Sequence, residues 1–532
     1  MTATLPCRGN LTIDEALQQS VGELGKGQRC RFCLAGLALV PAAMQTFTMY
    51  FVALDPFMTQ QAWLCHDLED LSCQAAQRAT GYSACHLPPE AWHWLDRGQS
   101  IASEWDLVCG SAWKLHLVNA AYFGGCIIGV ILFVSLSEHL GRKKVLGCAA
   151  TLAGLSGLAG AAAPTYWWYM APRVCSGVAV AGMTLAGRAL ATEPIGSSWR
   201  GVAGVVTFFF TIIGGLFTVL IAFLVPGWRA ATFLMALPCI LYPILLPSMH
   251  ESPAWLLMVG RKGEAIAGLA AIASANKTRL PEAPLQDSIA ARAEQKGLLA
   301  MMHHARMRKR LLIMLAVSAA TSQVYFGLGL SLQNMAGPVH LNQALGFAIE
   351  ALGCGVTLLV MMRFGCRVTV AYSMLQGGVA CLLCAVTSVG LQRIWALAGR
   401  FGAASALSLV QLYTAELLSR DVHSAALIAT AQAGHVGAMA GPAMMMLTQL
   451  PAAASVPFFV WSPVTIAAAL LLSLLPDTLG SSIPETMQDM GGASSARRLR
   501  IRWPKLPGVR HVFKRAQNSQ WIRLGDVDSD QE

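Results

Sequence analysis

The chain has 532 residues, of which 55% are hydrophobic and only 12% charged, and its mean hydropathy is +0.52. This composition excludes an ordinary soluble domain and indicates a protein that crosses a lipid bilayer several times. The net charge of +10 raises the alternative of nucleic-acid binding, but the basic residues are spread over separate loops, so no nucleic-acid partner is predicted.

Apolar stretches of about 17 to 25 residues can cross a bilayer as helices, and the sequence contains twelve of them. The first is not a signal peptide, because it begins late and follows a polar segment. The predicted spans are 34–54, 115–137, 145–163, 166–191, 202–224, 230–246, 311–331, 341–362, 368–390, 394–417, 425–447 and 455–475.

Lysine and arginine are concentrated in alternate loops, on the side that both termini share. Because positively charged loops stay on the cytosolic side of a membrane, we expect both termini in the cytosol. The loop at 55–114 is then extracellular.

That loop contains four cysteines, Cys65, Cys73, Cys85 and Cys109. An even number of cysteines in an oxidising compartment predicts two disulfides, whose pairing stays open because four cysteines allow three connectivities. Free thiols are one alternative, and zinc ligation with the nearby histidines is another. No paired CxxC or HxxxH spacing supports zinc, so no metal site is predicted.

A tight turn in VSLSEHLGRKK (134–144) connects the second and third spans, and a weaker copy, MRFGCR, lies at 362–367. Three landmarks recur in the same order: Gly141 and Gly365 (224 residues apart), Glu193 and Glu416 (223), and Arg173 and Arg400 (227). Such an internal duplication is typical of a transporter built from two similar bundles. The predicted fold class is an all-α membrane protein, with twelve transmembrane helices in two pseudo-symmetric six-helix bundles.

These elements divide the chain into segments. We expect a cytosolic N-terminus (1–33), an N-terminal bundle (34–248) that includes the disulfide loop, a cytosolic linker (249–310), a C-terminal bundle (311–475) and a basic cytosolic tail (476–532). The tail is predicted either to contact anionic lipid or to remain solvated and disordered.

Ionisable side chains inside a bilayer cost roughly 2.5 to 3.5 kcal/mol on insertion scales, so each requires an explanation. His435, midway along its span, is predicted either to recognise substrate or couple protons, or to be a neutral hydrogen-bonded side chain. Glu350 needs a partner or a proton, and we expect it to pair with His435. Arg188 is expected to snorkel to the cytosolic interface. Arg173 and Arg400 are expected to be structural, with hydrogen bonds to helix ends.

Aromatic and amide residues in five spans are candidate walls of a substrate cavity, since stacking and attraction to ring faces suit planar organic ions. Packing and lipid-facing roles are the alternatives for each residue. The candidates are Tyr50, Tyr122, Phe123, Phe208, Phe209, Phe210, Gln323, Tyr325, Gln411 and Tyr413.

Six segments carry recognisable motifs: SEWDLVCGSAWK (103–114), ATEPIGSSWRG (191–201), HESPAWL (250–256), LSLQNMAG (330–337), YTAEL (413–417) and LPDTLGSSIPET (475–486). In this order they resemble the solute carrier 22 family of organic cation and anion transporters, within the major facilitator superfamily. The resemblance covers nearly all of residues 30–490, and the sequence looks like a divergent, orphan-like member.

The resemblance implies a plasma-membrane protein with a cavity between two bundles, open alternately to either side. It places His435 where the family commonly has Arg in anion carriers and Asp in cation carriers, and Glu350 where a glutamate is frequent. No GxxxxGK[ST] phosphate-binding motif is present, which disfavours an ATP-driven pump, and no cofactor is predicted.

The superfamily's turn after the second span normally reads GxxxDRxGRR, in which the acid and arginines hold the cytosolic helix ends together. Here Val134, Glu138 and His139 replace the first Gly, the Asp and an Arg, and Met362 and Cys366 are changed in the copy. These losses are expected to weaken the cytosolic gate. Gating or structural roles are predicted for Glu138, Gly141, Arg142, Lys143, Glu193, Arg200, Glu251, Arg363, Gly365, Arg367 and Glu416.

The favoured function is secondary active or facilitative transport of small organic ions, with anions preferred. The alternative is a receptor or scaffold of the same family that acts through the disulfide loop and does not transport. An enzyme is disfavoured because no nucleophile–base pair is visible, and a channel because no filter sequence is visible. The predicted substrate-binding residues are His435, Glu350, Tyr325, Gln323, Phe209, Tyr122, Tyr413 and Gln411.

Overall fold

The first half of the chain folds into helices that follow its apolar stretches. A computed structural model describes residues 11–54, 63–66, 71–78, 85–280, 297–419, 422–446 and 455–478. Its first helices are α1 (Ile13–Ala16), α2 (Lys26–Gly36), α3 (Leu39–Phe47), α4 (Met49–Val52), α5 (Leu71–Arg78), α6 (Ile101–Glu104), α7 (Trp113–Leu140), α8 (Arg142–Ala161), α9 (Tyr166–Thr192), α10 (Ser197–Leu224), α11 (Trp228–Leu241), α12 (Pro253–Met258) and α13 (Lys262–Asn276). Short 3₁₀ or π turns occupy Leu17–Val21, Pro89–Ala91, Cys109–Ser111 and Tyr242–Ser248.

The second half repeats the pattern of long apolar helices. Its helices are α14 (Leu298–His303), α15 (Ala305–Ser331), α16 (Val339–Val386), α17 (Val389–Leu417), α18 (His423–Met445) and α19 (Val456–Leu472), with a 3₁₀ turn at Leu332–Asn334. The range α16 contains two predicted spans, which are two helices that meet at a kink at Gly365, where φ is 84° and the backbone is not helical.

In the described parts of the chain, eight helices are long and apolar enough to cross a membrane. They include Lys26–Val52, which begins eight residues before the predicted start of the first span, and Val339–Val386, which holds two spans. The last three predicted spans correspond to the helices α17, α18 and α19. The predicted all-α fold is therefore confirmed.

The predicted disulfide loop contains a two-stranded antiparallel sheet, β1 (Trp63–Cys65) and β2 (Trp92–Trp94), with Cys65 opposite Trp92. Cys65 is bonded to Cys73, and Cys85 to Cys109, so two disulfides are confirmed and their pairing is established. The free-thiol alternative is thereby excluded for these four residues. No group of three potential metal ligands occurs in the described ranges.

The helix α7 gives the molecule two distinguishable ends. It begins four residues after Cys109 and ends at Gly141, and its 28 residues span about 42 Å. We call the end near the disulfides the disulfide end, and the end that carries Gly141 and Gly365 the turn end.

The N-terminal segment is folded against the linker at the turn end. Leu17 and Val21 pack on Leu269 and Ile272 of α13. The Asn276 amide donates to the Val21 carbonyl (2.9 Å). Residues that the sequence analysis left without structure therefore join the linker to the first half.

The two halves contact each other at several helices. Phe47 of α3 packs on Phe347 of α16, with ring centroids 4.8 Å apart. Gln333 donates to the Tyr50 carbonyl (2.9 Å), and this contact lies close to the disulfide end. Nearer the middle, the Gln432 amide of α18 donates to the Ile127 carbonyl of α7 (2.9 Å).

Candidate functional site

A carboxylate closes the turn after α7 in the first half. Gly141 has a φ of 90°, a conformation that glycine adopts readily, and the helix α8 starts directly after it. The Glu251 carboxylate accepts the backbone N–H groups of Arg142 and Lys143, at 3.1 Å each. These donors are helix N-terminal groups that would otherwise lack a partner, so Glu251 anchors the linker to this helix.

Side chains extend this cluster, which we call the first clasp (Gly141, Arg142, Lys143, Glu193, Met249, Glu251 and Ser252). The Lys143 ammonium donates to the Met249 carbonyl (2.7 Å). The Arg142 guanidinium lies 3.6 Å from Glu193, whose other oxygen accepts the Ser252 hydroxyl. The segment after the sixth span is thus held against the turn after the second.

The second half contains an equivalent cluster, the second clasp (Gly365, Cys366, Arg367, Glu416, Leu475 and Thr478). Arg367 donates to the Leu475 carbonyl (2.8 Å). In the first clasp, Lys143 donates in the same way to the carbonyl of Met249, which lies 226 positions before Leu475. Thr478 donates to Glu416 (2.7 Å), as Ser252 does to Glu193. The duplication therefore extends to individual contacts.

The clasps differ where the first contains an ion pair. Arg142 of the first clasp corresponds to Cys366 in the second, where the thiol forms a hydrogen bond with Glu416 in place of an ion pair. The expected loss of charge is present, yet the carbonyl contact and the hydroxyl contact remain.

The other predicted gating residues lie at the edges of the clasps. Glu138 is exposed, and its carbonyl accepts the Trp255 indole N–H (3.0 Å). Arg200 forms an ion pair with Asp14 of the N-terminal segment (2.6 Å). Arg363 is exposed and lies over the Phe364 ring.

His250 is next to the first clasp, outside the spans. The Arg31 guanidinium lies 3.2 Å from its ring, and both residues border a small pocket at the turn end. Burial, together with the charges of Arg31 and Lys143, lowers the pKa of His250 below its ordinary value of 6.5. The neutral imidazole is therefore favoured in the folded protein.

A buried ion pair lies between α16 and α17. Glu350 and Arg400 are fully buried and form a salt bridge, and the Tyr325 hydroxyl donates to the other carboxylate oxygen (3.0 Å). The predicted pairing of Glu350 with His435 is wrong. Arg400 is the partner of Glu350, because a fully buried carboxylate is stabilised by the nearest fixed cation.

The same finding corrects the role predicted for Arg400. Its guanidinium lies 4.9 Å from the Phe347 ring and contacts the Gln343 amide oxygen (3.4 Å), so it does not bind a helix end. Arg173, its equivalent in the first half, lies 4.7 Å from the Tyr122 ring and donates to the Gln45 carbonyl within α3. Arg173 joins helices inside the first half, whereas Arg400 also lies 5.5 Å from the Tyr50 ring of the first half.

The residues that were predicted to line the cavity lie in several separate places. Tyr325 contacts Glu350, and Tyr122 is hydrogen-bonded to Thr46 (2.8 Å). Gln411 accepts from Thr430 at 3.4 Å. Phe209 and Gln323 are half-buried.

Tyr413 does not lie with these residues. It is fully buried at the turn end, where its hydroxyl donates to the Pro476 carbonyl (2.9 Å). The prediction that Tyr413 lines the cavity is corrected, because its only polar atom is engaged beside the second clasp.

His435 and Arg188 belong to opposite halves and lie within range of each other's charge. Both side chains are half-buried, and the charge of Arg188 acts on His435. The Arg188 Nε is enclosed without a hydrogen-bond partner, and the expected snorkelling to the interface stays a prediction. Sequence reasoning missed this proximity because the two residues are in different halves.

Two duplicated sets of apolar helices, each with its own clasp, define a multi-pass transporter of the major facilitator superfamily. The family model "Sugar (and other) transporter" matches residues 36–489. The Arabidopsis thaliana protein named organic cation/carnitine transporter 4 is 32% identical, over 91% of this chain and 92% of that protein. Solute carrier family 22 member 15 of Xenopus tropicalis is 29% identical, over 90% and 91% of the two chains.

The solved structures show the same fold at lower identity. The xylose transporter XylE from E. coli in an inward-open conformation has a TM-score of 0.60 and 15% identity, over 86% of this chain and 98% of that one. A partially occluded inward-open structure of XylE has a TM-score of 0.58. The chain belongs to the sugar (and other) transporter family and is a transporter of the solute carrier 22 type, not an enzyme.

Proposed function

We propose that the protein transports small organic anions across the plasma membrane by alternating access between its two bundles, 34–248 and 311–475. The observation that carries this proposal is the pair of clasps, each formed within one half. Because each clasp holds its own helices together, each half can move as a unit around contacts between the halves.

The contacts between the halves support one particular state. The Tyr50–Gln333 and Phe47–Phe347 contacts lie toward the disulfide end, and they close that end of the molecule. With both termini in the cytosol, this is the closed extracellular side. The basic tail at 476–532 lies almost wholly outside the described residues, and its contact with anionic lipid remains a proposal.

The preference for anions rests on His435 and Arg188, since both are basic groups and they lie within reach of each other's charge. Both are half-buried, which leaves part of each side chain open to a solute. Phe209 and Gln323, also half-buried, supply apolar and polar wall for an organic body.

Uptake of labelled organic anions and cations into liposomes that contain the purified protein tests this function. We expect saturable uptake of anions, lowered about tenfold or more in His435→Ala, since a hydrogen bond to a charged group contributes about 1.5 to 3 kcal/mol. No uptake by correctly folded protein would contradict transport and support the receptor or scaffold alternative.

A further inference from the structure

Arg188 is a cation inside the first half without a counter-charge. It lies five residues before Glu193 on α9, which places its Cα about 7.5 Å deeper than the first clasp. No ion pair or hydrogen bond involves its guanidinium in the described ranges. Glu193 and Glu251, the carboxylates at this end, are engaged by Arg142, Ser252 and backbone N–H groups.

The helix α18, which carries His435, contains no acidic residue. His435 of α18 is within range of its charge, and an imidazole is neutral or positive but never anionic. Gln432 lies one turn earlier on the same helix face, fixed to the Ile127 carbonyl, with its amide oxygen enclosed and without a partner. Neither residue neutralises Arg188.

A charged group in this position is costly to the folded protein. Arginine within a transmembrane helix is disfavoured unless it is paired, faces a wet cavity or reaches the interface. The enclosed Nε has given up its water without gaining an acceptor. An unpaired positive charge between the two halves points to a ligand that supplies the negative charge.

We infer that Arg188 is the residue that recognises the acidic group of the substrate, in the space between α9 and α18. A carboxylate accepts two parallel N–H bonds from a guanidinium, and that geometry distinguishes it from a cation or a neutral amide. This inference rests on the proposed function, and it names the chemical class selected by the site: organic acids with a planar carboxylate. Arg188 thereby determines specificity together with His435.

The test compares Arg188→Met, Arg188→Lys and the surface control Arg261→Met, whose arginine pairs with exposed Glu264. The probes are benzoate, benzamide and benzylammonium, which share a ring and differ in charge. Two readouts are taken on purified full-length protein: the shift of thermal midpoint with each probe, and uptake into liposomes.

We expect benzoate, but not benzamide or benzylammonium, to stabilise the wild type and Arg261→Met. In Arg188→Met the benzoate affinity should fall about tenfold or more, and Arg188→Lys should retain part of it. Without ligand, Arg188→Met should unfold at the same or a higher temperature than the wild type, because an uncompensated charge is removed. A purely structural arginine would give a lower midpoint.

The outcomes separate the two proposals. Equal benzoate stabilisation of wild type and Arg188→Met, or none in the wild type, overturns the inference about Arg188. Benzoate binding that depends on Arg188 but is accompanied by no uptake of any probe supports the inference and overturns the proposed transport.

Discussion

Glu350 and Arg400 form a fully buried salt bridge in the second half. Removing one member of a buried pair leaves an uncompensated charge, which typically costs about 3 to 5 kcal/mol. We therefore expect Glu350→Gln to lower the thermal unfolding midpoint strongly, as measured by the fluorescence of the purified protein. The exposed pair Arg261–Glu264 provides the control, since Glu264→Gln should cost less than about 1 kcal/mol. Equal midpoints for both variants would show that the buried pair is not ionised.

The pKa of His250 sets a pH dependence at the turn end. Because the folded-state pKa is lower than 6.5, the unfolded chain binds a proton more readily in the window just below that pH. The stability contributed by neutral His250 is complete above pH 6.5 and is lost as the pH falls toward the lower folded pKa. His250→Gln should therefore lose less thermal stability than the wild type between pH 7 and 5.5. Parallel midpoint curves over that range would contradict the assignment.

At the residue scale, the sequence predicted which residues are unusual but not which of them pair. Glu350, Arg400 and His435 were recognisable because ionisable side chains are rare inside apolar helices. Glu350 was paired with His435 because both lie midway along their spans, and Arg400 was assigned to a helix end. The choice depends on how α16 packs against α17, which hydropathy does not encode.

The turn that follows α7 is the element most dependent on one residue. Gly141 has a φ of 90° and a ψ of 162°, and a Cβ there would overlap the Glu251 carboxylate. We expect Gly141→Ala to cost about 1 to 3 kcal/mol and to weaken the first clasp. Gly263→Ala on α13, where a Cβ would meet nothing within 4 Å, is the matched control and should be neutral. The measurement is thermal unfolding, and an equally mild effect of both changes would contradict this account.

The long helices could be predicted from the sequence, because hydropathy alone determines where they lie. The twelve spans, the turn and its copy were predicted, and each corresponds to helix or turn in the described ranges. The helix begins before the predicted first span, because Lys26 to Cys33 is polar and hydropathy did not include it; this segment contacts α13 and α9. Tyr413 was misplaced for a related reason, since the carbonyl that it binds follows the last span.

The helices α10 and α16 come close together between the halves at Gly215, and the proposed alternating access depends on this contact. A Cβ at Gly215 would overlap the Phe347 ring of the other half. Phe47, which is in the same half as Gly215, also contacts that ring. We expect Gly215→Trp to prevent closure of the disulfide end and to lower uptake about tenfold or more, because a state that cannot form cannot complete the cycle. Gly204→Trp on the same helix, where a Cβ would meet nothing within 4 Å, should retain uptake. Wild-type uptake by Gly215→Trp would contradict alternating access through this contact.

The clasps show that the repeated unit of this molecule is longer than its six helices. In each half the chain crosses the membrane six times and then returns to bind the turn after its second crossing, through Met249 or Leu475. The unit that was duplicated therefore included the stretch after the sixth helix. A half produced as a separate polypeptide needs that stretch to form its clasp. Two co-expressed fragments divided after residue 280 should reassemble, whereas a division at 248 removes the closing segment from the first fragment and should leave it prone to degradation.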